Sequence, residues 1–375
     1  MIAIIGGGAI GLAIGWRLAS ADLAVTVFDR GRAGSAASEA AAGMLAPVSE
    51  AEPEEDALIQ LALAGHAMWP AFAVELTART GTLIDYWQCG GLHVALDRDE
   101  VERLRFLQDF LARLQLEARW LGGTEARSLS PHLSPNVKAA LVSPTDHQVD
   151  NRKLMAALRT AFVTDGGWLQ EHTEVTALDL AGGKVTGVIA GGRRYAAELV
   201  ILAAGAWSGA NEALPAQYRP PVRPVKGQML SVRMSSSLTE LILWRNGRYL
   251  VPRRDGRLLI GATVEERGFD DRLTAGGLFQ LLEEARALLP DIDELPIEER
   301  WSGFRPASRD DAPILGPSPL PGLIYATGHY RHGILLTPIT AAGIAEYVLH
   351  GTVPPALQPF SAARFAARGS MERVA

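Results

Sequence analysis

Residues 2–29 read IAIIGGGAIGLAIGWRLASADLAVTVFD. The stretch opens with a short apolar run, IAII, of the kind that forms a buried parallel strand. GGGAIG follows at once, and Gly6, Gly8 and Gly11 satisfy the spacing G-x-G-x-x-G. The first glycine permits a tight turn, the second lets the backbone approach a pyrophosphate, and the third lets helix and strand pack closely. Ala9 and Ile10 sit in the turn, and LAIGWRLAS then carries helical spacing. A helix starting there offers free N–H groups and a positive dipole end to phosphates. The second strand, AVTVF, ends at Asp29, eighteen residues past Gly11 and placed to bond ribose hydroxyls. A glycine-rich turn alone often serves packing only. Strand, turn, helix, second strand and terminal acid in this order point to a bound dinucleotide. Asp29 would repel the 2′-phosphate of NADP; the pattern by itself leaves FAD and NAD open.

The chain has 375 residues, enough for two domains with separate cores. Its formal charge of −6 argues against nucleic acid as a partner, since such proteins carry a basic face. The single cysteine, Cys89, excludes an intramolecular disulfide, a Cys-x-x-Cys pair and a cysteine-rich zinc site, and it fits a reducing, cytoplasmic compartment. No metal site is expected. The first nineteen residues lack a basic start, hold five glycines and contain Arg17, so a signal peptide or membrane anchor explains them less well than a strand and turn.

Further features tilt the choice towards FAD. The fingerprint opens at residue 6, more than 300 residues follow, and no second G-x-G-x-x-G occurs. AELVILAAGAWS (197–208) is another apolar strand, and Ala203, Ala204 and Gly205 at its end let a flat cofactor come close. SEAAAGMLAP (38–47) has few bulky side chains, so its backbone can face a ligand. Read alone, AELVILAAGAWS is more simply one more buried strand followed by a turn, and SEAAAGMLAP fits a small-residue helix packed in a crevice equally well.

Between residues 85 and 145 the pattern changes to short strands and a polar helix, DEVERLRFLQDFLARL. Several strands alternate from 226 to 264, with a hairpin signal at Arg254-Asp255-Gly256, and GGLFQLLEEARALLP (276–290) reads as an amphipathic helix stopped by Pro290. The simplest architecture is an α/β Rossmann-type FAD-binding domain (1–85, 146–219 and 301–375) with an α+β substrate domain (86–145 and 220–300) whose sheet is mostly antiparallel.

Two arginines stand out near the carboxyl end. Arg305 lies in WSGFRPASRDDAP, and Arg331 in GHYRHGILL (328–336), beside an apolar run. An α-carboxylate calls for a planar guanidinium fork, although a structural arginine paired to a carboxylate fits the residues equally well. Thr337 is a fair N-cap and Pro338 suits the first helical position, so a helix is expected from there. Its amino terminus would favour negative charge nearby. His329 and His332 can simply bond backbone carbonyls.

GGGAIG with Asp29, AAAGML, VILAAGAWS, PVKGQ (224–228), YLVPRRDGRLLIGAT and GHYRHGILL, in this order, resemble the D-amino-acid oxidase superfamily of flavoproteins, and within it the glycine oxidases associated with thiamine biosynthesis. The resemblance implies oxidation of glycine and other small primary or secondary amino acids to the oxo acid, ammonia or amine, and hydrogen peroxide. It implies Tyr249, Arg305 and Arg331 as the substrate-binding and catalytic residues. For FAD it implies contacts from Gly6, Gly8, Ala9, Ile10, Gly11, Asp29, Arg30, Ala37, Ser38, Ala42, Gly43, Met44, Val175, Ala204, Gly205 and the run His329, Tyr330, Arg331, His332, Gly333, Ile334 and Leu335. It also implies molecular oxygen as acceptor, no membrane partner and a homo-oligomer, a tetramer in this branch. Cys89 precedes a strand of the inserted domain, unlike the flavin-linking cysteine of sarcosine oxidases, so FAD is expected to be noncovalent. No side chain in these motifs is assigned as a general base. Alternative readings are an FAD dehydrogenase passing electrons to a quinone or protein, a non-catalytic flavin-binding module and, from the first forty residues alone, an NAD-dependent dehydrogenase.

Overall fold

The computed structural model describes residues 1–365. The opening stretch folds as its pattern dictates: strand Ile2–Ile5, helix Ala9–Ala19 and strand Val25–Phe28, both strands fully buried. They belong to a six-stranded sheet in the order Ile314–Pro317, Leu323–Thr327, Leu199–Leu202, Ile2–Ile5, Val25–Phe28, Trp168–Gln170. All pairings are parallel except that of the Ile314–Pro317 edge strand. Helix Ala9–Ala19 packs against helices Asn151–Thr164 and Thr337–His350. Small residues allow that approach: a Cβ on Gly15 would lie 3.0 Å from the ring of Phe162. Asp150 caps helix Asn151–Thr164 by accepting from the N–H groups of Arg152 and Lys153, a cap worth about 1 kcal/mol.

Helix Asp56–Thr80 is long and apolar enough to cross a membrane by length and composition. It packs instead on helices Thr337–His350 and Asn151–Thr164, burying Leu58, Leu61, Trp69 and Leu76. The Trp69 indole N–H, fully buried, donates to the Leu335 carbonyl at 2.9 Å.

The second sheet has eight strands in the order Ile297–Ser308, Val222–Arg233, Arg257–Gly261, Arg248–Pro252, Ile242–Arg245, Gly91–Ala95, Ala139–Ser143, Arg119–Gly122. Every pairing is antiparallel except one: Ile242–Arg245 runs parallel to Gly91–Ala95, placing Trp244 beside His93. That junction joins the two inserted segments into a single sheet. One face is covered by helix Ala275–Leu288, through Leu281, Ala285 and Leu288.

Some expected boundaries shift. Strand Ile297–Ser308 pairs with Val222–Arg233 from Val222 opposite Ser308 to Val232 opposite Ile297. Residues 301–308 therefore continue the second sheet, although the sequence reading assigned them to the dinucleotide domain; residues 366–375 of that assignment lie outside the described residues. Thr337 is the first helical residue rather than the cap, and its hydroxyl donates back to the Gly333 carbonyl at 2.8 Å, because a 3-10 turn at Tyr330–His332 already leads into the helix. An antiparallel three-stranded meander, Val175–Ala181, Lys184–Ala190 and Arg193–Ala196, precedes strand Leu199–Leu202 and was not anticipated.

Candidate active site

The fingerprint turn forms one wall of a cavity of about 700 Å³. Gly6 adopts φ +107°, and a Cβ there would stand 2.4 Å from the Ala203 carbonyl oxygen. Gly8 is the helix N-cap and supplies no side-chain acceptor to the first helical N–H groups. One of them, that of Ala9, donates to Ser38 Oγ at 2.9 Å. Asp29 accepts from the N–H groups of Gly7 and Gly31, both at 2.8 Å. Its carboxylate thus fixes the turn while bordering the cavity. Arg30 stacks its guanidinium 4.1 Å over the Trp207 ring, and Trp207 stacks in turn on Phe269. Val175, Ala204 and Gly205 complete this end.

A second cavity of about 490 Å³ shares Gly8, Ala37, Ser38, Ala203, Gly205, Gly303 and Phe304 with the first. The two therefore form one elongated trough. Its inner half is bordered by Ala9, Ile10, Ala42, Gly43 and Met44 on one side, by His329, Tyr330, Arg331, Gly333 and Ile334 on another, and by the uncovered face of the eight-stranded sheet. Glycine at 6 and 8, small residues along 40–43 and an uncapped helix start suit a long cofactor with a pyrophosphate in its middle. FAD fits this donor set: Asp29, Val175 and Ala204 would hold its adenosine half, and residues 42–44 and 329–334 would border its ring half.

Three expected cofactor contacts do not border the trough. Gly11 serves packing, since a Cβ there would lie 2.0 Å from the Gly6 carbonyl oxygen. Leu335 is buried in the core around helix Asp56–Thr80 and presents its carbonyl to Trp69. His332 is buried beneath the loop, with Nδ1 3.4 Å from a Glu50 carboxylate oxygen. The run GHYRHGILL hides this, because the 3-10 turn at Tyr330–His332 decides which of its residues border the trough. His329 borders the trough, and its Nε2 is held at 3.1 Å by Thr340 Oγ1.

Arg305, Tyr249 and Arg331 all border the inner cavity. Arg305 lies opposite Val225 in the strand pairing and reaches over Gly227, whose missing side chain makes room for the guanidinium. Its Nη1 donates to the Thr263 carbonyl at 3.1 Å, and among the described residues it has no carboxylate partner. Tyr249 is half-buried beside it, and desolvation holds the phenol above its ordinary pKa. Arg331 is engaged differently. Its Nη2 donates to Glu55 at 2.6 Å and to the Glu50 carbonyl at 3.3 Å, and it stands 3.3 Å from Glu52. Nη1 takes part in no hydrogen bond among the described residues.

Glu50 went unnoticed in the sequence, where it is one acid in an acidic loop. The fold places it in the inner cavity, and burial pushes its carboxyl up to about 7 despite the nearby Arg331 charge. Trp244, Met229 and Ala262 of the eight-stranded sheet also border this cavity, and no local motif marks them.

The model of the DAO family, FAD dependent oxidoreductase, matches residues 1–347. The chain is 39% identical over 378 residues to the glycine oxidase of Geobacillus kaustophilus, covering 99% of this chain and 98% of that protein. It is 40% identical over 373 residues to the bifunctional protein ThiO/ThiG of Trichormus variabilis, covering 98% of this chain and 56% of that protein, so it spans just over half of that longer relative. The crystal structure of glycine oxidase from Geobacillus kaustophilus superposes with a TM-score of 0.89 over 96% of this chain and 97% of that one. Agreement of this extent, over a trough shaped for a long dinucleotide, settles the relationship: the chain belongs to the DAO family of FAD dependent oxidoreductases.

Proposed function

We propose that this protein is an FAD-dependent amino acid oxidase that acts on glycine and other small primary or secondary amino acids, in the manner of the glycine oxidases. The observation that carries the reading is Arg305: a guanidinium without a carboxylate partner among the described residues, beside a half-buried tyrosine, in a cavity continuous with the dinucleotide trough. A free planar fork in such a place is suited to bidentate capture of an α-carboxylate. Tyr249 stays protonated and offers its hydroxyl to the same group. Arg331 adds positive charge and an uncommitted Nη1 while tying the loop at residues 50–55 to the cavity.

Bound FAD would supply the redox chemistry, accepting hydride from the substrate Cα and passing the electrons to oxygen as peroxide, while water converts the imine to oxo acid and ammonia. The chain's contribution is to orient the substrate and exclude water, which turns a bimolecular encounter into a positioned one. The reading extends to a cytoplasmic homo-oligomer, resting on the lone cysteine and the family resemblance, and sizing chromatography of the holoprotein tests its second half.

The test is anaerobic mixing of FAD-loaded protein with glycine, sarcosine and D-alanine while flavin absorbance is followed. Bleaching, with peroxide formed when air is admitted, is the expected result. A loaded flavin that no small amino acid bleaches overturns the reading, and bleaching reversed only by a quinone assigns another acceptor.

A further inference from the structure

Glu50 lies in the loop between strand Met44–Leu45 and helix Asp56–Thr80. The loop is held from two sides. Asp146, fully buried, accepts from the Ser49 hydroxyl and, at 3.4 and 3.5 Å, from the N–H groups of Val48 and Ser49. On the other side Arg331 donates to the Glu50 carbonyl. The backbone is thereby fixed, and the side chain is only 11% exposed. Yet no hydrogen bond among the described residues ends on its carboxyl group. A carboxyl that is largely withdrawn from solvent, fixed in place and free on the cavity side is set to take a partner from a molecule bound there.

An amino-acid zwitterion supplies one. Its carboxylate is attracted by Arg305 and Arg331, and its ammonium needs an acceptor in the same small space. Of the carboxylates bordering the inner cavity, Glu52 is 62% exposed and stands against Arg331, which leaves Glu50. The charged groups around Glu50 are Arg331 and Arg305, which favour its carboxylate, and Asp146 and Glu52, which oppose it. His332 stands 3.4 Å away, but burial pushes its pKa down to about 3, so it is neutral and contributes no charge.

On the function proposed above, we infer that Glu50 binds the substrate ammonium and accepts its proton. One N–H bond of glycinium breaks and one O–H bond of the Glu50 carboxyl forms. The carboxylate becomes neutral, the substrate becomes the aminoacetate anion, and no electrons change hands. The nitrogen lone pair so released is what hydride departure from Cα requires. A carboxyl held at about 7 is matched to this task near neutral pH.

The experiment compares wild type, Glu50→Gln and Glu50→Asp as FAD holoproteins. It follows anaerobic flavin reduction by glycine from pH 5.5 to 9.5, with binding of glycolate, which has the carboxylate but no amine, read from the flavin spectrum. In Glu50→Gln the second-order rate of reduction at pH 7 is expected to fall about 10²-fold and to recover about tenfold per pH unit towards the pKa of the free amine. Glycolate affinity should stay within about threefold of wild type, because the carboxylate clamp is untouched, and Glu50→Asp should restore part of the loss. A Glu50→Gln protein with the wild-type pH profile overturns the inference while leaving the oxidase reading standing. If wild type itself is not reduced by any small amino acid, it is the oxidase reading that fails. Should Glu50→Gln not retain FAD, dithionite-reduced wild type labelled with ¹³C-glutamate answers by infrared difference spectroscopy. A carboxylic C=O band must appear on glycine binding at pH 8 and not on glycolate binding, and its absence overturns the inference.

Discussion

Gly227→Ala tests the carboxylate clamp without touching Arg305 itself. Gly227 sits in strand Val222–Arg233 at a φ open to any residue, so alanine fits the backbone there. Its Cβ would stand 2.6 Å from Nη1, 2.9 Å from Nη2 and 3.0 Å from Cζ of Arg305. Ordinary contact begins at 3.4 Å, so the guanidinium has to retreat by roughly 0.8 Å, the difference between 3.4 and 2.6 Å. The tip of an arginine is flexible, so the fold accommodates the methyl and the clamp alone is displaced. A shift of about 1 Å in a positioning group costs up to about 10²-fold, and a charge-assisted hydrogen bond is worth about 1.5–3 kcal/mol. The expected result is a 10- to 100-fold fall in kcat/KM for glycine, about 1.4–2.7 kcal/mol, with most of the change in KM. Glycolate binding should weaken by a similar factor, while FAD content and melting temperature stay close to wild type. The assay is oxygen uptake across glycine concentrations, paired with a flavin-spectrum titration of glycolate. Unchanged glycine and glycolate affinity in a folded, yellow Gly227→Ala protein would refute the assignment of Arg305 as the carboxylate site.

Other residues yield sharper tests of the frame around the site. Gly6→Ala forces a side chain onto φ +107° and within 2.4 Å of the Ala203 carbonyl, so the purified protein should be colourless or largely unfolded; a yellow, stoichiometrically loaded protein contradicts the turn geometry. Trp69→Phe removes the buried donor to the Leu335 carbonyl and should lower unfolding free energy by about 1–3 kcal/mol in urea melts, with the flavin site otherwise intact. Glu50→Gln should also change stability in a pH-dependent way. The folded protein keeps the Glu50 proton up to about pH 7, whereas the unfolded chain releases it near 4.5, so the folded state binds more protons across that window and wild-type stability falls as pH rises through it. The variant lacks this loss, and its advantage should grow from near zero below pH 4.5 to about 3 kcal/mol above pH 7 in chemical melts of the substrate-free holoprotein.

The dinucleotide half of the trough was legible because its requirements are local. The pyrophosphate turn, the helix start and the acid at the strand end lie within residues 6–29, and each follows from a conformational or electrostatic demand of its own segment. Arg305 and Tyr249 were reached through motif resemblance, and the fold brings both to one cavity. The errors fell where facing depends on a turn. His332 and Leu335 stand in the same short run as His329 and Ile334, yet the 3-10 turn at Tyr330–His332 directs two of them to the trough and two into the interior. The boundary at residue 301 slipped because strand Ile297–Ser308 is continuous through it, and no break in hydrophobic pattern marks a change of sheet.

By itself the sequence determined the Rossmann-type start, the class of cofactor it invites and the two-part organisation of the chain, since period, glycine spacing and turn chemistry act between near neighbours. Only the tertiary structure decided what stands opposite what. The parallel pairing of Ile242–Arg245 with Gly91–Ala95 fuses two inserted segments into one sheet, Gly227 clears space for Arg305 across a strand pair, and Glu50 meets the cavity only because Asp146 and Arg331, distant in the chain, hold its loop. A carboxyl's proton affinity is set by burial and by the charges around it, and neither exists until the chain has closed on itself.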